Sequence, residues 1–548
     1  MADAVVNDGT LTRLRANAAR AGITLTDADV ALIVAGPFLG NVDAFAALVA
    51  QTPPDTIPDD LKDWADVSAP DTIAALGTAA APEGDGGDPR DPFAPLHIVA
   101  AAIAAGTVTP TELTELMLTR IAAHDPALNA YQLVLADEAR AAAREAEAEI
   151  AAGRYRGPFH GVPFAIKDLL ATAGIPTTAG SKILADWIPT EDAAAVRRLK
   201  EAGAVLIGKT RMSEFAYSPS SLNVHYGSTH NPWNLERDTG GSSSGSAAAV
   251  AAGLAYGALG SDTGCSIRTP SALCGIVGLK PTFGRISLAG AVTLSWSLDH
   301  LGPMTRSVHD AALVLNLLAG YDPADRRTRR GPVPDFTRDL DAPANMHGLR
   351  IGAIRDDGSP LGAPGAEAVA AWEAGLRALA AAGAEIVDIA LPELEALRVV
   401  GSPLIGMEAT AYHERSLRER PLDLGAFPRY RLLVSYAYGP NDYVRAQQTR
   451  AVLRARCDQL WERFDLLSSP ALAYGAPALG DPSSNTRYSH PFNCLGWPAI
   501  VVPSGLTADG LPLATQLIGR PWDELRVLQA GRVVERDGPW QGRRPAGY

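Results

Sequence analysis

Cysteine is scarce in this chain, and the patterns that usually give it a role are missing. The 548 residues contain four cysteines, Cys265, Cys274, Cys457 and Cys494, and no two of them form a C-x-x-C pair. Four cysteines at these spacings are too sparse for a disulfide framework. The ten histidines supply no His or Cys spacing typical of a zinc site. We therefore expect no metal and no cofactor.

Positive charge and long apolar segments are also in short supply. Lysine and arginine number 48 against 61 acidic residues, a net charge of −13 that argues against nucleic acid or an anionic membrane as partner. No uninterrupted apolar run reaches the roughly 18 residues that a membrane helix needs. The first residues, MADAVVNDGT, lack the basic and apolar segments of a signal peptide. These absences predict a cytoplasmic protein without a membrane partner.

The composition that remains is typical of a globular protein, with 47% hydrophobic and 20% charged residues. Residues 1–77 carry amphipathic patterns and predict a small N-terminal helical extension. Residues 78–92 are rich in Gly, Pro and Asp and predict a linker. From residue 93 to 548, strand patterns alternate with helical patterns, which indicates an α/β domain.

The stretch from Gly240 to Arg285 is the most unusual part of the sequence. It begins with a loop rich in glycine and serine, which contains Ser242, and continues to a second tight turn, which contains Ser266. The two serines lie 24 positions apart. The glycines permit close approach of a ligand to the backbone. Between the serines, residues Ala247 to Gly260 carry almost no polar side chain, and we interpret them as a buried helix that fixes both loops.

Three interpretations of this stretch are open from its chemistry alone. A glycine-rich loop before a helix can bind phosphate, but neither a G-x-x-x-x-G-K-[ST] nor a G-x-G-x-x-G pattern occurs here. An accessible serine beside backbone N–H groups is typical of a hydrolase turn. The third interpretation is a pair of Gly/Ser turns that only pack against a core helix.

A serine nucleophile needs a base, and no histidine lies in or near the Ser266 turn. Lys167 is the candidate, because it follows the apolar run Gly161–Ile166 and desolvation would lower its pKa toward neutrality. A solvated surface lysine is the alternative. The turn from Thr263 to Ser266 offers consecutive N–H groups that could stabilise an oxyanion.

These residues closely resemble the amidase signature family. The serine loop is matched by Gly240–Ser243, the second turn by Gly260–Arg268 and the lysine segment by Gly161–Asp168, in the same order and at similar spacing. The resemblance extends from about residue 92 to 540. Further similar stretches are Gly208–Thr210, Asn231–Trp233, Gly278–Thr282, Gly302–Met304, Phe492–Asn493, Pro498–Ala499 and Gln516–Pro521.

The resemblance implies an α/β amidase-signature fold, with a large mixed β-sheet core flanked on both faces by helices. It also implies a catalytic triad in which Ser266 attacks the carbonyl carbon, Ser242 relays the proton and Lys167 is the base. In the family a cis peptide bond precedes the residue matched by Ser242. The oxyanion-hole N–H groups would be those of Thr263, Gly264, Cys265 and Ser266, and Ser243, Asp262 and Arg268 would support the site.

Two departures from the family pattern concern the site. Cys265 and Ser244 stand where the family commonly has glycine. If Cys265 needs a positive φ its backbone would be strained, and a thiol facing the pocket would narrow the acyl site. Ser244 would add a hydroxyl near the relay. Both departures bear on substrate scope, because the three triad positions are retained.

The function we expect is hydrolysis of a small-molecule carboxamide, anilide or carbamate, with Trp296, Met407 and Tyr412 as candidate pocket residues. Ordinary core packing is the alternative for these three. A second function is the glutaminase subunit of a tRNA-dependent amidotransferase. A third, a non-catalytic binding module, is disfavoured by the intact triad positions. The extension weakly resembles the small helical subunit that wraps amidotransferase catalytic subunits; the alternative is a family-specific extension that serves a homodimer or covers apolar surface.

Overall fold

The computed structural model describes residues 8–36, 38–53, 56, 87–342, 345–481, 486–540 and 542–548. Most of the predicted linker and the end of the predicted extension lie outside these residues. The strands are β1 (Tyr131–Val134), β2 (Pro163–Lys167), β3 (Val205–Thr210), β4 (His230–Asn231), β5 (Asn234–Asp238), β6 (Gly257–Ser261), β7 (Val277–Lys280), β8 (Leu301–Thr305), β9 (Arg350–Asp356), β10 (Glu385–Ala390), β11 (Leu466–Pro470), β12 (Ala499–Leu506) and β13 (Pro512–Gly519).

The helices connect these strands and cover the sheet. They are α1 (Asp8–Arg20), α2 (Asp27–Ala35), α3 (Gly40–Val49), α4 (Leu96–Ala104), α5 (Pro110–Leu128), α6 (Ala136–Ala151), α7 (Ala194–Glu201), α8 (Ser244–Ala251), α9 (Arg268–Cys274), α10 (Val308–Leu318), α11 (Ala366–Ala381), α12 (Glu393–Glu419), α13 (Ala426–Val434), α14 (Asp442–Asp458), α15 (His490–Leu495) and α16 (Glu524–Asp537).

The predicted α/β architecture with a large mixed sheet is confirmed. Eleven strands of the described chain form one sheet in the order β1-β3-β2-β6-β8-β7-β12-β13-β11-β9-β10. The β3-β2-β6 and β11-β9-β10 neighbours are parallel, and the other pairs are antiparallel. Helices α8, α11 and α16 pack on its central strands. Strand β2 is buried along its whole length, as expected of a parallel strand covered on both faces.

The prediction of one buried helix from Ala247 to Gly260 was wrong in its extent. Helix α8 ends at Ala251, and the chain turns at Gly253 with φ 66° before entering strand β6. Every residue of both elements is buried. A run of small apolar residues does not distinguish a buried helix from a buried strand, and the glycine is what divides it. This division brings the end of β6 beside the end of β2.

The three helices of the extension pack against the main domain. Helix α1 contacts the short turn between α13 and α14, α2 contacts α13, and α3 contacts α12 and α14. Asp29 of α2 forms a 2.6 Å ion pair with Arg429 of α13, and both side chains are largely buried. The Arg445 guanidinium of α14 donates to the carbonyl oxygens of Val49 and Thr52. The extension therefore contacts the same helical group that carries Met407 and Tyr412.

In the described residues no single helix has the length and apolar character to cross a membrane. Helices α2 and α3 meet that criterion only as a pair, with a 60° bend between them.

Candidate active site

Lys167 is the last residue of β2, and its side chain is completely buried. Its Nζ lies 2.7 Å from the Oγ of Ser242 and 2.8 Å from the Oγ atoms of Ser243 and Ser261. Ser261 ends the neighbouring parallel strand β6, so both side chains lie at the carboxyl ends of adjacent strands. Ser242 and Ser243 come from the loop that leads into α8, which packs on β2 and β6.

Burial lowers the pKa of Lys167 to about 7, although Asp262, Cys265 and Asp299 oppose the shift. A neutral amine has two N–H donors and one lone pair. The Ser243 hydroxyl is 3.2 Å from the Ser261 carbonyl oxygen, to which it donates. The hydroxyls of Ser242 and Ser261 are therefore the ones placed to donate to the Lys167 lone pair. The site can hold an uncharged lysine near neutral pH.

The serine loop contains a cis peptide bond between Gly241 and Ser242. The Gly241 N–H donates to the Pro219 carbonyl at 2.7 Å. A Cβ at position 241 would lie 2.2 Å from the Ser220 carbonyl oxygen, so no residue larger than glycine fits there. The Ser243 N–H donates to the Ser266 carbonyl at 3.3 Å, which ties the serine loop to the second turn.

The second turn is closed by a buried ion pair between Asp262 and Arg268. One Asp262 oxygen accepts hydrogen bonds from the backbone N–H groups of Ile267 and Arg268, at 3.1 and 3.3 Å. Burial alone would raise the pKa of Asp262, but the Arg268 charge and hydrogen bonds outweigh it and hold that pKa well below its usual range. Arg268 also donates to Gln516 and Asn493, so β13 and α15 help to fix the turn.

Neither departure from the family pattern disturbs this geometry. Cys265 is absent from the described residues that have a positive φ, and its Sγ lies 3.6 Å from the Gly241 carbonyl oxygen. Its side chain is buried, and burial raises the pKa of the thiol to about 12. The Ser244 hydroxyl is 3.4 Å from the Arg211 carbonyl oxygen and 3.3 Å from the Thr229 hydroxyl. The two side chains thus contact protein groups around the loop.

The predicted pocket residues divide by exposure. Trp296 and Tyr412 are 41% and 51% exposed, whereas Met407 is partly buried and packs against the main hydrophobic core. Glu408, beside Met407 on α12, is fully buried and accepts hydrogen bonds from both Ser295 and Ser297 in the loop around Trp296. Helix α12 therefore anchors this loop.

Several residues that contact the site had no role in the sequence interpretation. Ser261, Asn493 and Gln516 all lie within stretches that resemble the family, and that resemblance was the available signal. Asp299 and Glu408 gave no signal in the sequence, because their hydrogen-bond partners are distant in sequence or lie in an irregular loop. Among the residues with described positions, no group of three His, Cys, Asp or Glu side chains could hold a metal ion.

Removing Arg268 should destabilise the whole domain, because Asp262 would remain buried without its counter-charge. For Arg268→Ala we expect a loss of about 3–5 kcal/mol in the free energy of unfolding, measured by urea denaturation. Arg415→Ala is the control, since Arg415 pairs with Glu419 at the surface and their side chains are 82% and 57% exposed. That variant should lose about 1 kcal/mol or less. Equal losses in the two variants would contradict a structural role for the buried pair.

Comparison with known proteins identifies relatives along most of the chain. The family model named Amidase matches residues 112–528. One relative is a glutamyl-tRNA(Gln) amidotransferase subunit of Anaeromyxobacter dehalogenans (strain 2CP-C). It is 41% identical over 477 residues, which cover 81% of this chain and 96% of the relative.

Two solved structures are similar over the same region. The substrate complex of 6-aminohexanoate cyclic dimer hydrolase has a TM-score of 0.75 at 30% identity and covers 83% of this chain and 99% of its own. The peptide amidase of Stenotrophomonas maltophilia has a TM-score of 0.71 at 32% identity and covers 82% and 98%. With a family model that matches most of its length and relatives of this identity, the chain belongs to the amidase signature family.

Proposed function

We propose that this chain cleaves an amide C–N bond through an acyl-enzyme formed on Ser266, with Ser242 and Lys167 as its proton relay. The observation that carries the proposal is the buried Lys167 amine, which is surrounded by three serine hydroxyls and has a pKa of about 7. No carboxylate lies among those three partners to hold the amine in its charged form. A lysine in this condition can accept a proton.

The reaction begins when the Ser266 hydroxyl transfers its proton to Ser242, whose own proton passes to Lys167 Nζ. The Ser266 oxygen then forms a bond to the carbonyl carbon, and negative charge develops on the carbonyl oxygen. Protonated Lys167 returns a proton through Ser242 to the leaving nitrogen, and the C–N bond breaks. Water attacks the resulting ester by the reverse relay and releases the acid.

Stabilisation of the oxyanion is assigned to the N–H groups of Thr263, Gly264, Cys265 and Ser266. The next two N–H groups along the chain, those of Ile267 and Arg268, bond to Asp262. This arrangement supports the assignment, because it fixes the backbone that follows the four donors before any substrate binds. Preorganised donors of this kind lower the barrier without reorganisation during the reaction.

For the substrate we propose a small-molecule carboxamide, anilide or carbamate, cleaved by the chain acting alone. The support is internal to the chain: its own helices α1 to α3 cover the faces of α12, α13 and α14. Because these helix faces are already covered within the chain, no separate protein is needed to bury them. Trp296 lies in the loop that Glu408 anchors, and Tyr412 lies on the same helix as Glu408. The exposed rings of these two residues suit an aryl or extended acyl group.

A second candidate function has direct support from the curated relatives. They are subunits of glutamyl-tRNA(Gln) amidotransferases, and the similarity at about 41% identity runs through 96% of the relative's length. On that basis the chain would hydrolyse glutamine as one part of a larger enzyme. The comparisons favour this candidate, and the internal packing of the extension favours the first.

The triad assignment predicts that Ser266→Ala abolishes cleavage of 4-nitrophenyl acetate, an activated acyl donor, and that Lys167→Ala slows it at least about a thousandfold. Lys182→Ala, a change at an exposed lysine, is the control and should remain within a factor of two of the parent. A Lys167→Ala enzyme with a near-normal rate would remove the lysine from the mechanism.

The pH dependence follows from the direction of the Lys167 shift. Below about pH 7 the lysine becomes protonated and cannot act as a base, so kcat/KM should fall as the pH is lowered. Above that pH the amine is neutral and kcat/KM should reach a plateau. The measurement is kcat/KM between pH 5 and 9 at constant ionic strength. A profile that is flat over this range contradicts a neutral-lysine base.

A substrate panel separates the two candidate functions. We expect the purified chain to hydrolyse at least one member of a set of anilides, carbamates and peptide amides, and to do so faster than it hydrolyses glutamine. Release of the amine and of ammonia are measured in the same preparations. Hydrolysis of glutamine alone, and only after a partner protein is added, would favour the amidotransferase function.

A further inference from the structure

Asp299 is a buried carboxylate beside the candidate active site, and the mechanism above does not use it. It lies just before strand β8, with 7% of its surface exposed. Its Oδ1 accepts a 2.6 Å hydrogen bond from the Thr263 hydroxyl, at the start of the oxyanion turn. Its Oδ2 accepts a hydrogen bond from the Leu294 N–H at 3.0 Å, and the Ser295 N–H donates to both oxygens.

These contacts join two segments that are far apart in sequence. Thr263 belongs to the turn that supplies the proposed oxyanion donors, and Leu294 and Ser295 belong to the loop that carries Trp296. The Ser295 hydroxyl continues the connection to Glu408 on α12 at 2.6 Å. Asp299 is thus the shared acceptor through which the turn and the pocket loop hold each other in place.

Asp299 also belongs to the electrostatic surroundings of Lys167. Against the larger effect of burial, its charge raises the pKa of Lys167, as does the charge of Asp262. Burial, together with Glu408, raises the pKa of Asp299 itself to about 6 against the hydrogen bonds it accepts, so the carboxylate is ionised where Lys167 loses its proton. Burial, and after it the Asp299 charge, raise the pKa of Tyr412. A cavity of about 10 Å³ is lined by Asp299, Thr263 and Ser261, the last of which bonds to Lys167.

We propose that Asp299 is a positioning residue for the acyl-transfer reaction, which fixes the oxyanion turn through Thr263 and supplies a negative charge that Lys167 senses. This role rests on the function proposed above and deepens it. The hydrogen bonds described for the carboxylate come from Thr263, Leu294 and Ser295 and not from the proposed nucleophile. It acts through two other residues, one for geometry and one for charge.

The two parts of the role can be separated by two substitutions. Asp299→Asn removes the charge and an acceptor for the pocket-loop N–H groups. Thr263→Val keeps the volume and the carboxylate but removes the hydroxyl that connects the turn to it. Geometry is disturbed in both variants, whereas the charge near Lys167 is lost outright only in the first.

The experiment measures kcat, KM and the pH profile of kcat/KM for 4-nitrophenyl acetate with the full chain. Both variants should lose at least about tenfold in kcat. In Asp299→Asn the acidic limb of the profile should move to lower pH by about half a unit to one unit, because a negative charge no longer favours protonated Lys167. In Thr263→Val the limb should move less. Asp388→Asn, the same substitution at a 67% exposed surface carboxylate, should leave both measurements unchanged.

A normal kcat in Thr263→Val, or an acidic limb that does not move in Asp299→Asn, overturns the assignment. If Asp299→Asn fails to fold, as judged by circular dichroism, the kcat of Thr263→Val decides. Ser266→Ala is measured in the same series. Activity retained in Ser266→Ala would mean that the proposed function is wrong, whereas an inactive Ser266→Ala beside normal Asp299 and Thr263 variants would mean that only the role of Asp299 is wrong.

Discussion

The complete burial of Lys167 among hydroxyl groups is the constraint on which the site depends. The hydrogen-bond partners described for this amine are serine hydroxyls, and burial outweighs the charges of Asp262 and Asp299, so the neutral amine becomes accessible near pH 7. Lys209, a neighbouring buried lysine, shows the contrast. It lies 3.6 Å from Asp168, whose charge opposes the effect of burial and leaves the pKa of Lys209 at about 8. Two buried lysines on neighbouring strands thus differ in pKa because their partners differ.

The position of Lys167 follows from the sheet, and the position of the serines follows from contacts that cross it. Strands β2 and β6 run in parallel and end together, which places Lys167 beside Ser261. The turn that contains Ser266 is fixed by the ion pair between Asp262 and Arg268. Arg268 also donates hydrogen bonds to Asn493 and Gln516, which lie in the C-terminal part of the chain. The site is therefore complete only when the N-terminal and C-terminal parts of the domain have come together.

Much of this arrangement could be predicted from the sequence. The apolar run before Lys167 indicated a desolvated lysine, and Lys167 is indeed fully buried; the resemblance indicated that Ser242 would accompany it, and their side chains are 2.7 Å apart. The run from Ala247 to Gly260 could not be divided correctly, because small apolar residues fit a buried helix and a buried strand equally well. Asp299 and Glu408 were not predicted either, because their hydrogen-bond partners lie in an irregular loop and on other elements. Such contacts have no local pattern.

The account depends most on Ser266 being the nucleophile that Lys167 activates. The direct measurement is covalent labelling of the full chain with a fluorophosphonate, followed by peptide mass mapping and by the labelling rate of the parent and of Lys167→Ala. We predict one label, on the peptide that contains Ser266 and on Ser266 itself, at a rate that falls strongly in Lys167→Ala. A label on Ser242 or elsewhere, or an equal rate without the lysine, would contradict the account.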